Sequence, residues 1–236
     1  MRILIGGKGR MGQLIAATAE AQGHTVAGMA DAMDLSALEA EEKADMIIDF
    51  SHRDNLGWIL DYAKKNNCSL VYGTTGLTDE QKEQLFAAAG EIPVFYSSNF
   101  SYGVAVLQEI LRRAVPLLKD SFDMELVETH HNQKQDAPSG TAKSILEIMN
   151  PDGEFKEVYG REGMTGKRGK EIGVHALRGG TEAGEHMVKF FGNSESITIT
   201  HHADNRQIFV NGALKAASFL EGKQPGLYGM KDLMEG

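Results

Sequence analysis

Five short apolar runs, separated by stretches of helical spacing, occupy the first hundred residues, and this alternation constrains the chain more than any other feature. The runs cover residues 2–5, 25–30, 46–50, 70–72 and 92–96. Helical spacing fills residues 11–22, ending at Gly23, then 55–66, then 79–89, where Thr78 is placed to cap the helix. Parallel strands need a crossover between them, so strands alternating with helices predict βαβ units and a parallel sheet. The third run is almost continuously apolar, as expected of a strand buried on both faces. Few residues separate the second and third runs, which predicts a shortened crossover.

The pattern changes after Phe100. One helix is expected over 104–118, then strands over 123–129, 172–178, 187–191 and 196–201, with Gly192-Asn193-Ser194 turning the last two into a hairpin. Helical spacing returns at 209–221. The expected fold class is α/β. A Rossmann-like parallel-sheet domain takes residues 1–101 and 208–236, and a smaller α+β domain with an open mixed sheet takes 102–207. Two chain crossings, near 100–102 and 206–209, make a hinge plausible. The acidic run 39–42 reads as a solvated helix face.

Composition narrows the function classes. The 236 residues are 42% hydrophobic and 24% charged, an ordinary globular balance. No apolar run approaches the ~20 residues of a membrane helix. The N-terminus enters a strand directly, so no signal peptide is expected. Cys68 is the only cysteine, which rules out an internal disulfide and fits a reduced, cytoplasmic setting. A net charge of −9 argues against nucleic acid and anionic membrane as partners. Anionic ligands would therefore need strong local positive sites.

Gly6-Gly7-Lys8-Gly9-Arg10-Met11-Gly12 lies between the first strand and the first helix. Such a loop lets backbone N–H groups approach a pyrophosphate. A structural tight turn is the other reading. Asp31 ends the second strand, where an acid holds ribose hydroxyls, although an ordinary exposed loop acid looks the same. Gly73-Thr74-Thr75 and Ser97-Ser98-Asn99-Phe100 fall at further strand ends and suit close backbone contact with a nicotinamide ribose and carboxamide, or are plain turns.

The stretch from Glu125 to Ala142 is the richest. A strand ends at His130-His131, a short loop carries Lys134, and Pro138 is expected to open a helix. Free N–H groups of Ser139, Gly140 and Thr141, with the Thr141 hydroxyl, would bind a carboxylate. His131 and Lys134 would add positive charge, and His130 would exchange protons near neutral pH. A polar loop with a well-made cap is the alternative. His201 and His202 show no metal-ligand spacing, so no metal is expected. Arg178, Lys189 and Arg206 are candidate cations on the substrate side.

The run from Glu128 to Ala142, E-x-H-H-N-Q-K-Q-D-A-P-S-G-T-A, resembles the signature of 4-hydroxy-tetrahydrodipicolinate (dihydrodipicolinate) reductases. GGKGRMG, IIDFS, GTTG, SNFSYGV, GEH, ITH, FVNGA and GLYGMKDL extend the resemblance over essentially the whole chain. It implies reduction of a small cyclic dicarboxylate by NADH or NADPH, with loss of water, in lysine and diaminopimelate synthesis. By the resemblance, His130 is the proton donor and acceptor and Lys134 the second proton-transfer residue. His131, Ser139, Gly140 and Thr141 bind substrate. Gly6, Gly7, Lys8, Gly9, Arg10, Met11, Asp31, Gly73, Thr74, Thr75, Ser97, Ser98, Asn99 and Phe100 contact the dinucleotide. A homotetramer joined through the substrate-domain sheets is expected. Ala32 follows Asp31 where many members carry arginine, so NADH is expected to serve at least as well as NADPH, with Lys8 able to reach a 2′-phosphate. Two other classes fit the residues less fully: another Rossmann oxidoreductase such as an amino-acid dehydrogenase, and a non-catalytic dinucleotide-binding regulator.

Overall fold

The computed structural model describes all residues, Met1–Gly236. The elements in chain order are β1 (Arg2–Gly6), α1 (Arg10–Ala21), β2 (Thr25–Ala30), β3 (Met46–Asp49), α2 (Leu56–Asn66), β4 (Ser69–Tyr72), α3 (Asp79–Ala88), β5 (Pro93–Tyr96), α4 (Tyr102–Leu118), β6 (Asp123–His130), α5 (Gly140–Met149), β7 (Lys156–Tyr159), β8 (Glu171–Arg178), β9 (Gly184–Phe191), β10 (Ser196–Ala203), α6 (Gln207–Leu220), β11 (Gly226–Tyr228) and α7 (Met230–Glu235). They form two compact units, Met1–Tyr102 with Gln207–Gly236, and Gly103–Arg206.

The first unit is a Rossmann-like sheet of six strands in the order β11-β5-β4-β3-β1-β2. Every neighbouring pair is parallel. Residues along each strand alternate between the sheet faces, and both faces are covered. Leu4, Ile47 and Leu70 pack with α2 and α3, whereas Ile3, Ile5, Ile48 and Val71 pack with Ile15 of α1 and with α6. The buried stripe Val210, Ala213, Leu214, Ala217 and Leu220 fixes α6 on that second face. Each such Val or Leu contributes about 1.5–3 kcal/mol by leaving water. Thr78 caps α3 in a reciprocal box with Gln81. The short β2–β3 crossover is a single 3-10 turn, Ser36–Glu39. The acidic run is therefore not a helix face: Glu39 ends that turn, and Glu41 and Glu42 are exposed coil. Strand order reverses between β1 and β3, the place where open α/β sheets bind ligands outside their carboxyl ends.

The second unit carries a mixed sheet in the order β10-β9-β6-β8-β7. β6 runs parallel to β8 and antiparallel to β9. Its alternation puts Met124, Leu126, Glu128 and His130 on one buried face. Leu107, Leu111 and Val115 of α4 and Ile145 and Met149 of α5 join Met124 and Leu126 in the core there. β7 is an edge strand, Lys-Glu-Val-Tyr, with no apolar run to betray it. α5 starts at Gly140 with Ser139 as its cap. Pro138 therefore precedes the cap and does not open the helix as its position in the sequence suggests.

Candidate active site

In the first unit, the N–H of Gly7 donates to the Ala30 carbonyl at 2.7 Å and folds the glycine loop over β2. A Cβ on Gly12 would lie 2.0 Å from the Gly7 carbonyl oxygen, so only glycine lets α1 start this close to the turn. Gly9 differs. A Cβ there would meet nothing within 4 Å, Gly9 caps α1 without a side chain, and no acid lies in the first turn. The first amides of α1, with Arg10 exposed beside them and Met11 turned to the core, thus face open space. That donor set and cradle fit a pyrophosphate.

Asp31 closes a tight turn. Its Oδ1 accepts from the N–H groups of Met33 at 2.9 Å and Asp34 at 3.2 Å. Lys8 is ion-paired with Asp34. The Lys8 ammonium and the Ser36 hydroxyl hold the Asp34 carboxyl well below the usual carboxylate range. Lys8 is therefore not the unengaged cation that the sequence implied.

Beneath this edge lies a buried network that sequence reasoning missed. Asp49 is fully buried and accepts from the Ser51 and Thr74 hydroxyls. The Thr74 hydroxyl accepts the Ser51 N–H at 2.8 Å, and the Ser51 hydroxyl accepts from Asn55 Nδ2 at 2.8 Å. Asn55 Oδ1 in turn accepts the Ala32 N–H at 2.8 Å. The loops after β2, β3 and β4 are thereby joined. Burial pushes the Asp49 carboxyl up to about 6, against the two hydroxyl bonds. The Thr74 side chain points into this network, so the loop offers its backbone, with Thr75 exposed. The Ser97 hydroxyl is engaged by Asn99, and Phe100 is buried against Phe50 and Phe95. Only Ser98 of that loop is exposed.

In the second unit, His130 ends β6 with its Nδ1 on Glu128 Oε2. Glu128 is fully buried, and Arg178 grips it bidentately at 2.8 and 3.0 Å. Burial alone would raise the Glu128 carboxyl, but Arg178 and His130 outweigh it and hold it below its ordinary value. Burial, with Lys134 and Arg178 nearby, moves His130 down despite Glu128. Lys134 Nζ pairs with Asp136 at 2.8 Å. His186 stands edge-on to His130, ring centroids 5.2 Å apart, and meets the Ser139 hydroxyl through Nε2 at 3.0 Å. Burial takes His186 down to about 4, so it is neutral at pH 7. His131 is half-buried at the strand end.

Three expectations change here. The Ser139 N–H is not free for an anion, because it donates to Glu128 Oε1 at 3.2 Å, while its hydroxyl accepts from Ala142 N–H at 3.1 Å. Gly140 and Thr141 follow Ser139 as the first helical residues of α5. Arg178 is engaged by Glu128 and is not a free cation. Lys189 lies on the opposite sheet face, over the Phe191 ring at 5.5 Å. Arg206 is exposed. The roles of Glu128, Arg178 and His186 were missed. For Glu128 the signal was its i,i+2 spacing from His130, which places both on one strand face.

A glycine loop at the switch point of a parallel sheet marks the dinucleotide-binding class of fold. Residues 1–100 match the model described as dihydrodipicolinate reductase, N-terminus, and residues 103–234 the one described as dihydrodipicolinate reductase, C-terminus. The chain is 43% identical over 237 residues to the 4-hydroxy-tetrahydrodipicolinate reductase of Brachyspira hyodysenteriae, covering 99% of this chain and 100% of that one. It is also 43% identical to the enzyme of that name from Methanoregula boonei, over 98% of this chain and 96% of the other. Among solved structures, a dipicolinate-bound dihydrodipicolinate reductase from Paenisporosarcina sp. TG-14 superposes with a TM-score of 0.80 at 25% identity, covering 98% of each chain. A probable dehydrogenase from Thermotoga maritima shares the fold alone, with a TM-score of 0.58 and 11% identity over 100% of this chain and 93% of that one. The chain belongs to the 4-hydroxy-tetrahydrodipicolinate reductase family.

Proposed function

We propose that the chain reduces 4-hydroxy-tetrahydrodipicolinate to tetrahydrodipicolinate, with loss of water, on the route to diaminopimelate and lysine. The observation that carries this is a His130 tethered to Glu128, whose other oxygen accepts the cap amide of α5, in a chain that matches the family over residues 1–100 and 103–234. A neighbour of similar structure is described as dipicolinate-bound, which supports a cyclic dicarboxylate as ligand.

One substrate carboxylate sits at Gly140 and Thr141 with His131 as a further contact, and Lys134 adds the positive charge that a chain of net −9 must supply locally. The glycine loop would hold a reduced nicotinamide dinucleotide, which would supply the hydride for reduction of the dehydrated, conjugated imine. Charge then moves toward the ring nitrogen and its carboxylate, and His130 or Lys134 delivers a proton to the adjacent carbon. Holding the reactants in place lowers such a barrier by roughly 7–11 kcal/mol, so the helix start matters as much as the acid.

NADH serves at least as well as NADPH in this reading. Asp31 and Asp34 repel a 2′-phosphate, Ala32 offers no guanidinium, and Lys8 is occupied by Asp34. The setting is cytoplasmic and the assembly a homotetramer, joined through the outer face of the second sheet. Val127, Leu177, Met187 and Phe191 lie on that face, and Leu177 and Phe191 are exposed. The test couples the upstream synthase product to nicotinamide oxidation. Turnover is expected, and Lys134→Ala or His130→Asn should lower kcat by ~10²-fold or more. Turnover of an amino or hydroxy acid and none of the cyclic imine would overturn the proposal.

A further inference from the structure

We infer that Glu128 and Arg178 are positioning residues, a clamp that decides which nitrogen of His130 carries the constant proton and ties both proton-transfer groups and the anion-binding helix start to one buried carboxylate. The inference rests on the proposed role of His130.

The strand geometry builds the clamp. Glu128 and His130 are two apart on β6 and share a face. The parallel register sets Arg178 of β8 opposite His130. Glu128 then accepts four hydrogen bonds: Oε1 from Arg178 Nη2 at 2.8 Å and the Ser139 N–H at 3.2 Å, Oε2 from Arg178 Nη1 at 3.0 Å and from His130 Nδ1. A carboxylate held by a guanidinium is ionised and accepts only, so Nδ1 of His130 must carry hydrogen. Nε2 is left as the nitrogen that gains and loses a proton.

The same two side chains reach the rest of the machinery. Arg178 Nη2 also donates to the Asp136 carbonyl at 2.7 Å, and Asp136 Oδ1 pairs with Lys134 at 2.8 Å. The Ser139 amide is the cap residue of α5. The groups facing His130 are Glu128 from β6, Arg178 from β8, His186 from β9, and Lys134 with Asp136 from the loop. Among them Glu128 alone contacts the ring with a negative charge, so it alone stabilises the imidazolium that an acid role requires. Neutralising Arg178 by itself would not require this geometry, because any nearby carboxylate accomplishes that.

The test compares Glu128→Gln, Glu128→Asp and Arg178→Lys with the parent. Long-range nitrogen–proton spectra of the imidazoles, with His130 assigned by its loss in His130→Asn, report the tautomer without any turnover. The parent should show the Nδ1–H form above the His130 pKa, and Glu128→Gln the Nε2–H form with a lower pKa. In the kinetic arm, Glu128→Gln should lower kcat by ~10²-fold or more, with cofactor KM unchanged. The decline of kcat at high pH should begin at lower pH, because an acid is lost as pH rises through its pKa. Glu128→Asp should restore part of the rate, and Arg178→Lys should lie between parent and Glu128→Gln. If Glu128→Gln does not fold, the Asp and Lys variants carry the same comparison. An Nε2–H tautomer in the parent, or an unchanged tautomer and pH profile in the variants, overturns the clamp. Absence of turnover by the parent would sink the proposed reaction instead and leave the spectra to decide this point.

Discussion

Adding one methyl group at Gly184 tests whether the position of His130 limits the rate. Gly184 opens β9, and an alanine Cβ there would lie 3.0 Å from His130 Nε2 and 3.3 Å from Cδ2, where ordinary contacts run from 3.4 to 4 Å. The ring must yield by at least a few tenths of an ångström. It has little room to do so, because its other nitrogen is held by Glu128, itself fixed by Arg178 and Ser139. Misplacing a reacting group by about 1 Å costs as much as 10²-fold, so roughly a tenfold loss in kcat is expected here. Overpacking should cost the fold about 1–3 kcal/mol, to which the positive φ of Gly184 (159°) adds backbone strain. The assay is steady-state kcat with both KM values, beside a thermal melt. The high-pH decline should also move to lower pH, because a stretched bond to Glu128 supports the imidazolium less. A kcat within about twofold of the parent, in a protein that melts normally, would show that His130 tolerates displacement and refute the reasoning. A loss confined to cofactor KM would refute it equally.

Dicarboxylate binding should take up a proton. Burial, Lys134 and Arg178 keep His130 below its ordinary value in the free chain, and a bound dianion opposes the two cations and raises it. Affinity for pyridine-2,6-dicarboxylate should therefore weaken as pH rises through the bound-state value, and calorimetry in buffers of different ionisation enthalpy should show uptake of up to about one proton per site. Proton release, or uptake that survives in His130→Asn, would contradict this. Asp34→Asn should free Lys8 and raise kcat/KM and affinity for NADPH relative to NADH, an effect that fades with added salt. A parent that already prefers NADPH by more than about tenfold would show the 2′-phosphate site to be misjudged. Sedimentation should report a tetramer, and Phe191→Glu should weaken it. A monomeric parent would remove the proposed interface.

Period and punctuation made most of the first unit legible. Strands buried on both faces appear as apolar runs, and Gly23 and Thr78 mark helix ends in the sequence itself. The elements that escaped are those without a period. β7 is four residues long with two charges, and β11 is three residues bounded by glycines. Such edge strands form because a neighbouring strand offers free backbone groups, the next strand β8 for β7 and the distant β5 for β11. The acidic run at 39–42 was misjudged for a related reason. Polarity alone suggests a helix face, but the β2–β3 connection holds one 3-10 turn in place of an α-helix.

The candidate site divides along the same line. His130, Lys134 and the start of α5 lie within a dozen residues of one another, so their chemistry can be read from one segment. Glu128 also lies there, but its meaning comes from Arg178, fifty positions away and brought alongside only by the β6–β8 register. Taken alone, Arg178 looks like a cation available to substrate, and Ser139 looks like a free amide donor. Each group turns out to complete the hydrogen bonding of the buried Glu128. The same holds in the first unit, where Thr74 completes the buried Asp49, while Lys8 pairs with Asp34 at the surface. A single segment shows which groups can donate or accept. Whether a group is available to a ligand depends on the buried charges around it, and those are assembled by pairing across the fold. Predictions that treat a donor as free on the strength of its local sequence therefore fail most often beside a buried carboxylate, which is where His130 acquires its orientation.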